Sequence, residues 1–383
     1  VSPARQLAFD TLRKVGRGGY ASDLLASDAR AIDPRDAALA SEIVFGVLRY
    51  QAQLDFLIEH YSGRGVQKLD FEVLLALRLG VYQLRYLDRV PPHAAVSQSV
   101  ELVKSMGFRS ATGFANAVLR KVGREPVDWP DREVELSHPE WLLARWDRQF
   151  GPEVTPLIAH ANLLAPETYI RVPAGRKIPA RIEVELTEIP GCYRLVAGEA
   201  DGFRIQDIGS QSVVPLLDLA PGQTFLDLCA APGNKTAQAL ESGVRAVACD
   251  FHAKRVEMLR RLGVDVVHLD GTRPLPFGRR FERILLDAPC SGTGTLARNP
   301  EIKWRLLPSD VQELHGRQVV LLRNALQALA PGGVLVYSTC SLEREENEGV
   351  IEALGGPHPV QIMHRIPGLQ PGDGFFAAVI RSR

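Results

Sequence analysis

The sequence predicts an α/β protein with three parts: an all-helical bundle, a small α+β unit, and a mostly parallel sheet covered by helices. Three observations carry this. Residues 1–128 repeat apolar positions at helical spacing with no strand pattern between them. Residues 129–210 mix Pro-rich punctuation with short alternating stretches. From residue 211 to 383, short apolar runs alternate with helical patterns, the signature of a parallel sheet with helices on both faces.

Taken in order, Ser2-Pro3 opens the first helix, with Ser as N-cap and Pro at the first helical position. Asp33-Pro34 opens a long segment in which Ile43, Val44, Val47, Leu48, Leu54 and Leu57 fall near one helical face. LDFEVLLALRLGVYQLRYL, HAAVSQSVELVKSM after Pro91-Pro92, and ATGFANAVLRKV complete a bundle of five or more helices. EPVDWPD reads as a linker and SHPEWLLARWDRQFG as a short helix. TYIRVPA, IEVELTEI and YRLVAG read as short strands. TFLDLCAA, AVACD, VVHLD, RILLDAP and GVLVYSTC are the apolar strands of the last part, and PVQIMHRI and FFAAVIRS extend it at an edge.

Composition excludes several classes. Over 383 residues, 45% are hydrophobic and 23% charged, as in ordinary globular proteins. No run of eighteen apolar residues occurs, so no membrane association is expected. The five cysteines include no CxxC pair and no His/Cys cluster, which argues against a disulfide framework and against a metal site. A reducing, cytoplasmic setting and a monomer are the expectations. Residues 1–125 hold 17 Lys and Arg against 13 Asp and Glu, and the remainder 28 against 32. That mild asymmetry permits nucleic-acid binding without demanding it. Arg13, Lys14, Arg17, Arg120, Lys121 and Arg124 are candidates for a basic face, with solvated surface charge as the default.

Ligands of open α/β sheets bind beyond the carboxyl ends of the strands. The first strand of the last part ends in DLCAAPGNKT, where Cys229, Ala230, Ala231, Pro232, Gly233, Asn234 and Lys235 form a Gly-containing turn into a helix. It is neither G-x-G-x-x-G nor a Walker loop. The second strand ends at Asp250, placed to accept from ribose hydroxyls. The third ends at Asp270, the fourth at Asp287 followed by Cys290, and the fifth at Cys340. Each alone reads equally well as a helix cap or a small buried side chain. Together on one rim they describe a nucleoside-containing cofactor beside a thiol nucleophile. Cys192 and Cys249 read as structural, and Cys229 as lining the cofactor turn. A helix expected to begin near Ser341 slightly favours Cys340 as the reactive thiol, although Glu343, Glu345 and Glu346 oppose it.

DLCAAPGNKT, LLDAPCSGTGTLARNPEIKWR, YSTCSLEREENEGVI and DGFFAA resemble the Nop/Sun family of S-adenosylmethionine-dependent RNA cytosine-C5 methyltransferases, over residues 140–383. RQLAFDTLRKV, PPHAAVSQSVEL and FANAVLRKV resemble the NusB-like RNA-binding domain. The combination is similar to the bacterial branch acting on 16S ribosomal RNA, free or in an assembling small subunit. The resemblance implies a Rossmann-like class I methyltransferase domain, with S-adenosylmethionine held by residues 229–235, Asp250, Asp270 and Asp287. It implies that Cys340 adds to cytosine C6, that Asp287 binds the base, and that Cys290 assists release. The sequence departs from the family at Asn234, where glycine is usual, and at NLLAPETYIRVPAG, which lacks the usual Arg-Val-Asn ending. If position 234 needs a positive φ, Asn is the least costly replacement. Lys303, Trp304 and Arg305 of NPEIKWR are candidate RNA contacts, against the alternative of a loop packing back on its domain. A transfer-RNA methyltransferase and a non-catalytic RNA-binding assembly factor are the competing functions.

Overall fold

A computed structural model describes residues 1–200, 202–278, 280–356 and 358–382. The chain divides into two compact units: Val1–Ala165 with Leu296–Arg305, and Pro166–Thr295 with Leu306–Arg383. The stretch 129–210, expected as one small domain, is shared between them. Its residues 129–165 belong to the first unit and 166–210 to the second.

The first unit is helical: α1 (Pro3–Val15), α2 (Ala21–Asp28), α3 (Pro34–Arg49), α4 (Gln51–Ser62), α5 (Phe71–Tyr86), α6 (Pro92–Ser105), α7 (Thr112–Lys121), α8 (Arg132–Leu136), α9 (Glu140–Phe150) and α10 (Thr155–Leu163). Asp33 caps α3, accepting from Arg35 N–H at 2.8 Å. Ser2 does not cap α1; its hydroxyl accepts from Arg5 at 3.1 Å instead. The long segment after Pro34 breaks at Tyr50 into α3 and α4. Phe9, Ile43, Val44, Leu54, Leu57 and Ile58 are fully buried in one core, as their helical spacing requires.

The second unit carries two sheets. Strands β1 (Tyr169–Arg171), β2 (Glu183–Leu186), β3 (Cys192–Ala197) and β4 (Arg204–Ile205) form an antiparallel sheet in the order β2-β3-β1-β4. After α11 (Ile208–Val213) the large sheet begins: β5 (Thr224–Asp227), α12 (Asn234–Leu240), β6 (Arg245–Asp250), α13 (Ala253–Leu259), β7 (Asp265–His268) and β8 (Phe281–Asp287). The short helix α14 (Ile302–Arg305) belongs to the first unit, and the sheet unit resumes with α15 (Pro308–Gln327), β9 (Leu329–Thr339), α16 (Glu348–Ala353), β10 (Gln361–Arg365) and β11 (Phe375–Arg381). The order is β10-β11-β9-β8-β5-β6-β7. Strands β5 to β9 pair in parallel, and β11 runs antiparallel to both its neighbours. Successive side chains feed opposite cores: Leu226, Ile284, Leu286 and Tyr337 one, Phe225, Leu285 and Val336 the other. A sheet buried on both faces leaves its strand ends as the place for polar chemistry.

Candidate active site

The chain order reverses between the adjacent strands β5 and β8, and the polar groups gather beyond their carboxyl ends. Asp227, the last residue of β5, is fully buried and accepts from the Thr236 hydroxyl at 2.7 Å. Burial pushes its carboxyl up to about 7. The turn that follows reaches φ 102° at Gly233, and α12 begins at Asn234. A Cβ on Gly233 would also stand 2.9 Å from Leu262 Cδ1. The positive φ therefore falls on Gly233 and not on Asn234, whose departure from the family pattern costs the loop no backbone strain.

Asp250, at the end of β6, braces this turn. Its Oδ2 accepts from Ala231 N–H at 3.2 Å and its Oδ1 from His252 N–H at 2.8 Å. Each oxygen keeps a lone pair for a ribose hydroxyl. Asp270 accepts from the Thr272 hydroxyl at 2.6 Å, and hydrogen bonds from Thr272 hold its carboxyl below the usual range. A cavity of about 200 Å³ opens here, with Cys229, Asp250, Phe251, Asp270, Arg317 and Leu321 in its wall. Phe251 is exposed, a flat apolar surface one residue beyond Asp250. A carboxylate for hydroxyls, an aromatic face and a polar rim suit the adenosine end of S-adenosylmethionine. Three of the predicted cofactor residues, Cys229, Asp250 and Asp270, share this cavity. Phe251 and Arg317 were missed; Phe251 had its place directly after a strand-end acid as a signal, and Arg317, midway along α15, had none.

On the other side of the turn, Lys235 Nζ lies 2.7 Å from Asp287 Oδ2 and 5.0 Å from the Phe375 ring centre. Ser338 donates to Asp287 Oδ1 at 2.7 Å. Burial works against the Lys235 charge, but Asp287, and then Cys340 and Asp227, leave its pKa above the ordinary value. The Cys290 and Cys340 sulfurs are 3.4 Å apart. The Cys290 thiol is pushed well up, first by its hydrogen bond to Cys340 and then by burial, with Glu346 and Asp287 adding to it. Backbones make this closeness possible. Gly294 N–H donates to Cys340 O at 2.9 Å, and a Cβ on Gly294 would sit 2.5 Å from Gly374 O. The helix expected at Ser341 is absent: one turn at Arg344–Glu346 precedes α16, so no helix end faces Cys340.

For Lys303, Trp304 and Arg305 the contacts support the alternative reading, a segment packing back on its own unit. All three are spent within the helical unit. Lys303 is 1% exposed and donates to Arg49 O at 2.9 Å. Trp304 Nε1 donates to Leu48 O at 2.7 Å, and Arg305 to Val15 O at 2.5 Å and Gly19 O at 2.6 Å. Leu48 and Arg49 end α3 and Val15 ends α1, so these side chains bond to carbonyls of the last helical turns, where Val15 O also accepts from Gly18 N–H at 2.9 Å. Of the candidate basic face, Arg13 pairs with Asp10, Lys14 with Asp28 and Arg124 with Asp88. Among the described residues no helix is long and apolar enough to cross a membrane.

Residues 214–381 match the family model described as 16S rRNA methyltransferase RsmB/F, and residues 2–124 that of the NusB family. The chain is 33% identical to the ribosomal RNA small subunit methyltransferase B of Klebsiella pneumoniae subsp. pneumoniae, over 99% of this chain and 98% of the relative. It is 32% identical to the probable ribosomal RNA small subunit methyltransferase B of Bacillus subtilis, over 93% and 88% respectively. Its fold is similar to the crystal structure of PH0851, with a TM-score of 0.82 at 22% identity, covering 100% of this chain and 99% of that one.

Proposed function

The chain belongs to the 16S rRNA methyltransferase RsmB/F family, and we propose that it methylates C5 of a cytosine in small-subunit ribosomal RNA through a covalent bond from Cys340 to C6. The observation that carries this reading is the pair of thiols 3.4 Å apart beside the Asp287–Lys235 ion pair. Bound S-adenosylmethionine supplies an electrophilic methyl group. Cytosine C5 is too weak a nucleophile to take it unaided, and a thiolate at C6 turns the C5–C6 electron pair toward C5.

The two thiols divide this work by environment. Cys290 is held as a thiol by its neighbours, which unfits it as nucleophile and fits it as hydrogen-bond donor. Cys340 is among the groups that hold the Lys235 ammonium charged. Asp287 keeps lone pairs for the exocyclic amino group of the base, and the Lys235 ammonium offsets negative charge as it develops on the ring. A base, water at this rim, then takes the C5 proton, the freed electron pair re-forms the C5–C6 double bond, and the Cys340 sulfur leaves C6 as a thiolate that accepts a hydrogen bond from the Cys290 S–H. The target base must leave its stack to reach this rim, and the NusB-like helical unit is the part of the chain suited to engage the surrounding RNA.

The test is transfer of labelled methyl groups to unmodified 16S RNA and to transfer RNA, with bisulfite mapping of the product. Label in 16S RNA at a bisulfite-resistant cytosine is the expected result. Preference for transfer RNA would overturn the substrate, and label on any other atom would overturn the chemistry.

A further inference from the structure

The residue after each paired cysteine is a serine, Ser291 after Cys290 and Ser341 after Cys340. Both serines turn to one carboxylate, that of Glu346, which is fully buried. Glu346 Oε1 accepts from Ser291 N–H at 2.8 Å and from Gln318 Nε2 at 3.0 Å. Its Oε2 accepts from the Ser341 hydroxyl at 2.5 Å and from the Ser291 hydroxyl. Four donors fill the acceptor positions of a carboxylate. A core built only for stability is served as well by apolar side chains, because burying a charge is costly even when it is satisfied.

Glu346 is itself anchored. Tyr337 O–H donates to its carbonyl at 2.5 Å, and the adjoining Asn347 bridges the Thr339 hydroxyl at 2.5 Å and Ser341 O at 2.9 Å. Other ties between the two loops are the Ser291 and Ser341 hydroxyls at 3.1 Å, the Thr293 and Ser341 hydroxyls at 3.3 Å, Leu342 N–H to the Thr293 hydroxyl at 2.9 Å and Gly294 N–H to Cys340 O at 2.9 Å. The Glu346 carboxylate joins the residue next to each sulfur, reinforcing the direct contact between the two serine hydroxyls. Release of Cys340 requires the Cys290 thiol at a fixed reach, and chemistry of this kind is sensitive to displacements of about 1 Å.

We propose that Glu346 is a positioning residue which, through Ser291 and Ser341, sets the spacing of the Cys290 and Cys340 sulfurs on which product release depends. This rests on the two-cysteine reading above. Addition by Cys340 does not need the spacing, so its loss slows the second half of the reaction.

The experiment compares Glu346→Gln with the native enzyme, using unmodified 16S RNA and S-adenosylmethionine. We expect turnover to fall at least tenfold while KM for RNA and affinity for the cofactor stay within twofold. An RNA–protein adduct that survives denaturation should accumulate. Turnover within twofold of native without adduct overturns the proposal, as does a loss of cofactor affinity in proportion to turnover. Ser291→Ala and Ser341→Ala each remove one leg and should show the same adduct more weakly. If Glu346→Gln does not fold, native turnover in both serine variants overturns it. Cys340→Ala separates the two levels. If that variant still methylates, the two-cysteine reading itself fails. If it is inactive while Glu346→Gln behaves as native, only the role of Glu346 fails.

Discussion

Two regions of this molecule carry the same kinds of residue and use them in opposite ways. The strand-end rim holds Lys235 against Asp287 and two half-buried thiols, groups whose partners are other reactive side chains. The segment Leu296–Arg305 holds Lys303, Trp304 and Arg305 against backbone carbonyls. A donor on a backbone carbonyl at a helix end serves the fold, because it pairs a carbonyl that the helix itself does not. A cation on a carboxylate that retains free lone pairs can still engage a third group. The kind of partner, more than the kind of residue, separates a site from a buttress.

Variants should divide along this line. The largest effect belongs to Cys340→Ala, which should lower methyl transfer by at least about 1,000-fold, as loss of a covalent nucleophile does, without lowering the melting temperature. Single-turnover transfer measures it, and appreciable remaining activity would exclude Cys340 as nucleophile. Next is Cys290→Ala, which should transfer one methyl group per enzyme and then stall as a covalent RNA adduct visible on a denaturing gel. Normal turnover would break the division of labour between the thiols.

In the buttress the pattern should invert. Trp304→Ala removes a half-buried ring and the bond to Leu48 O. It should destabilise the helical unit by about 3 kcal/mol, the low end for loss of a large aromatic side chain. RNA affinity per folded molecule should stay within twofold. A tenfold loss of RNA affinity with no change in unfolding would make Trp304 an RNA contact and erase the contrast.

The distinction also explains what the sequence could reveal. Strand ends were legible because apolar runs stop abruptly at Asp250, Asp287 and Cys340, and sheet geometry then places those ends on one side. The five parallel strands and the edge hairpin followed from the same alternation. Long-range closure was not legible. Nothing local in NPEIKWR tells that its side chains cap helices more than 250 residues earlier in the chain. Nor does EREEN tell that its last acid, Glu346, turns inward to the serine beside each cysteine. Ser341 misled for a related reason: Ser before a run of acids is a helix-start pattern, and its hydroxyl does accept from Glu343 N–H at 3.0 Å, but only one turn at Arg344–Glu346 follows.

The smallest effect sharpens the rim from beneath. Asp227 sits under it, fully buried, with burial raising its carboxyl to about 7. In the unfolded chain the same group titrates near 4. Between these values the folded state binds the extra proton, so stability falls as pH rises and is greatest below the unfolded value. Each pH unit inside the window is worth about 1 kcal/mol. Asp227→Asn keeps an acceptor for the Thr236 hydroxyl and removes the titration. Urea unfolding of the sheet unit at pH 5 and pH 6 should therefore show the native protein losing about 1 kcal/mol more than the variant across that interval. Parallel pH dependence in the two proteins would mean that Asp227 is ionised beneath the rim throughout, and that the negative charge facing Lys235 comes from two carboxylates instead of Asp287 alone.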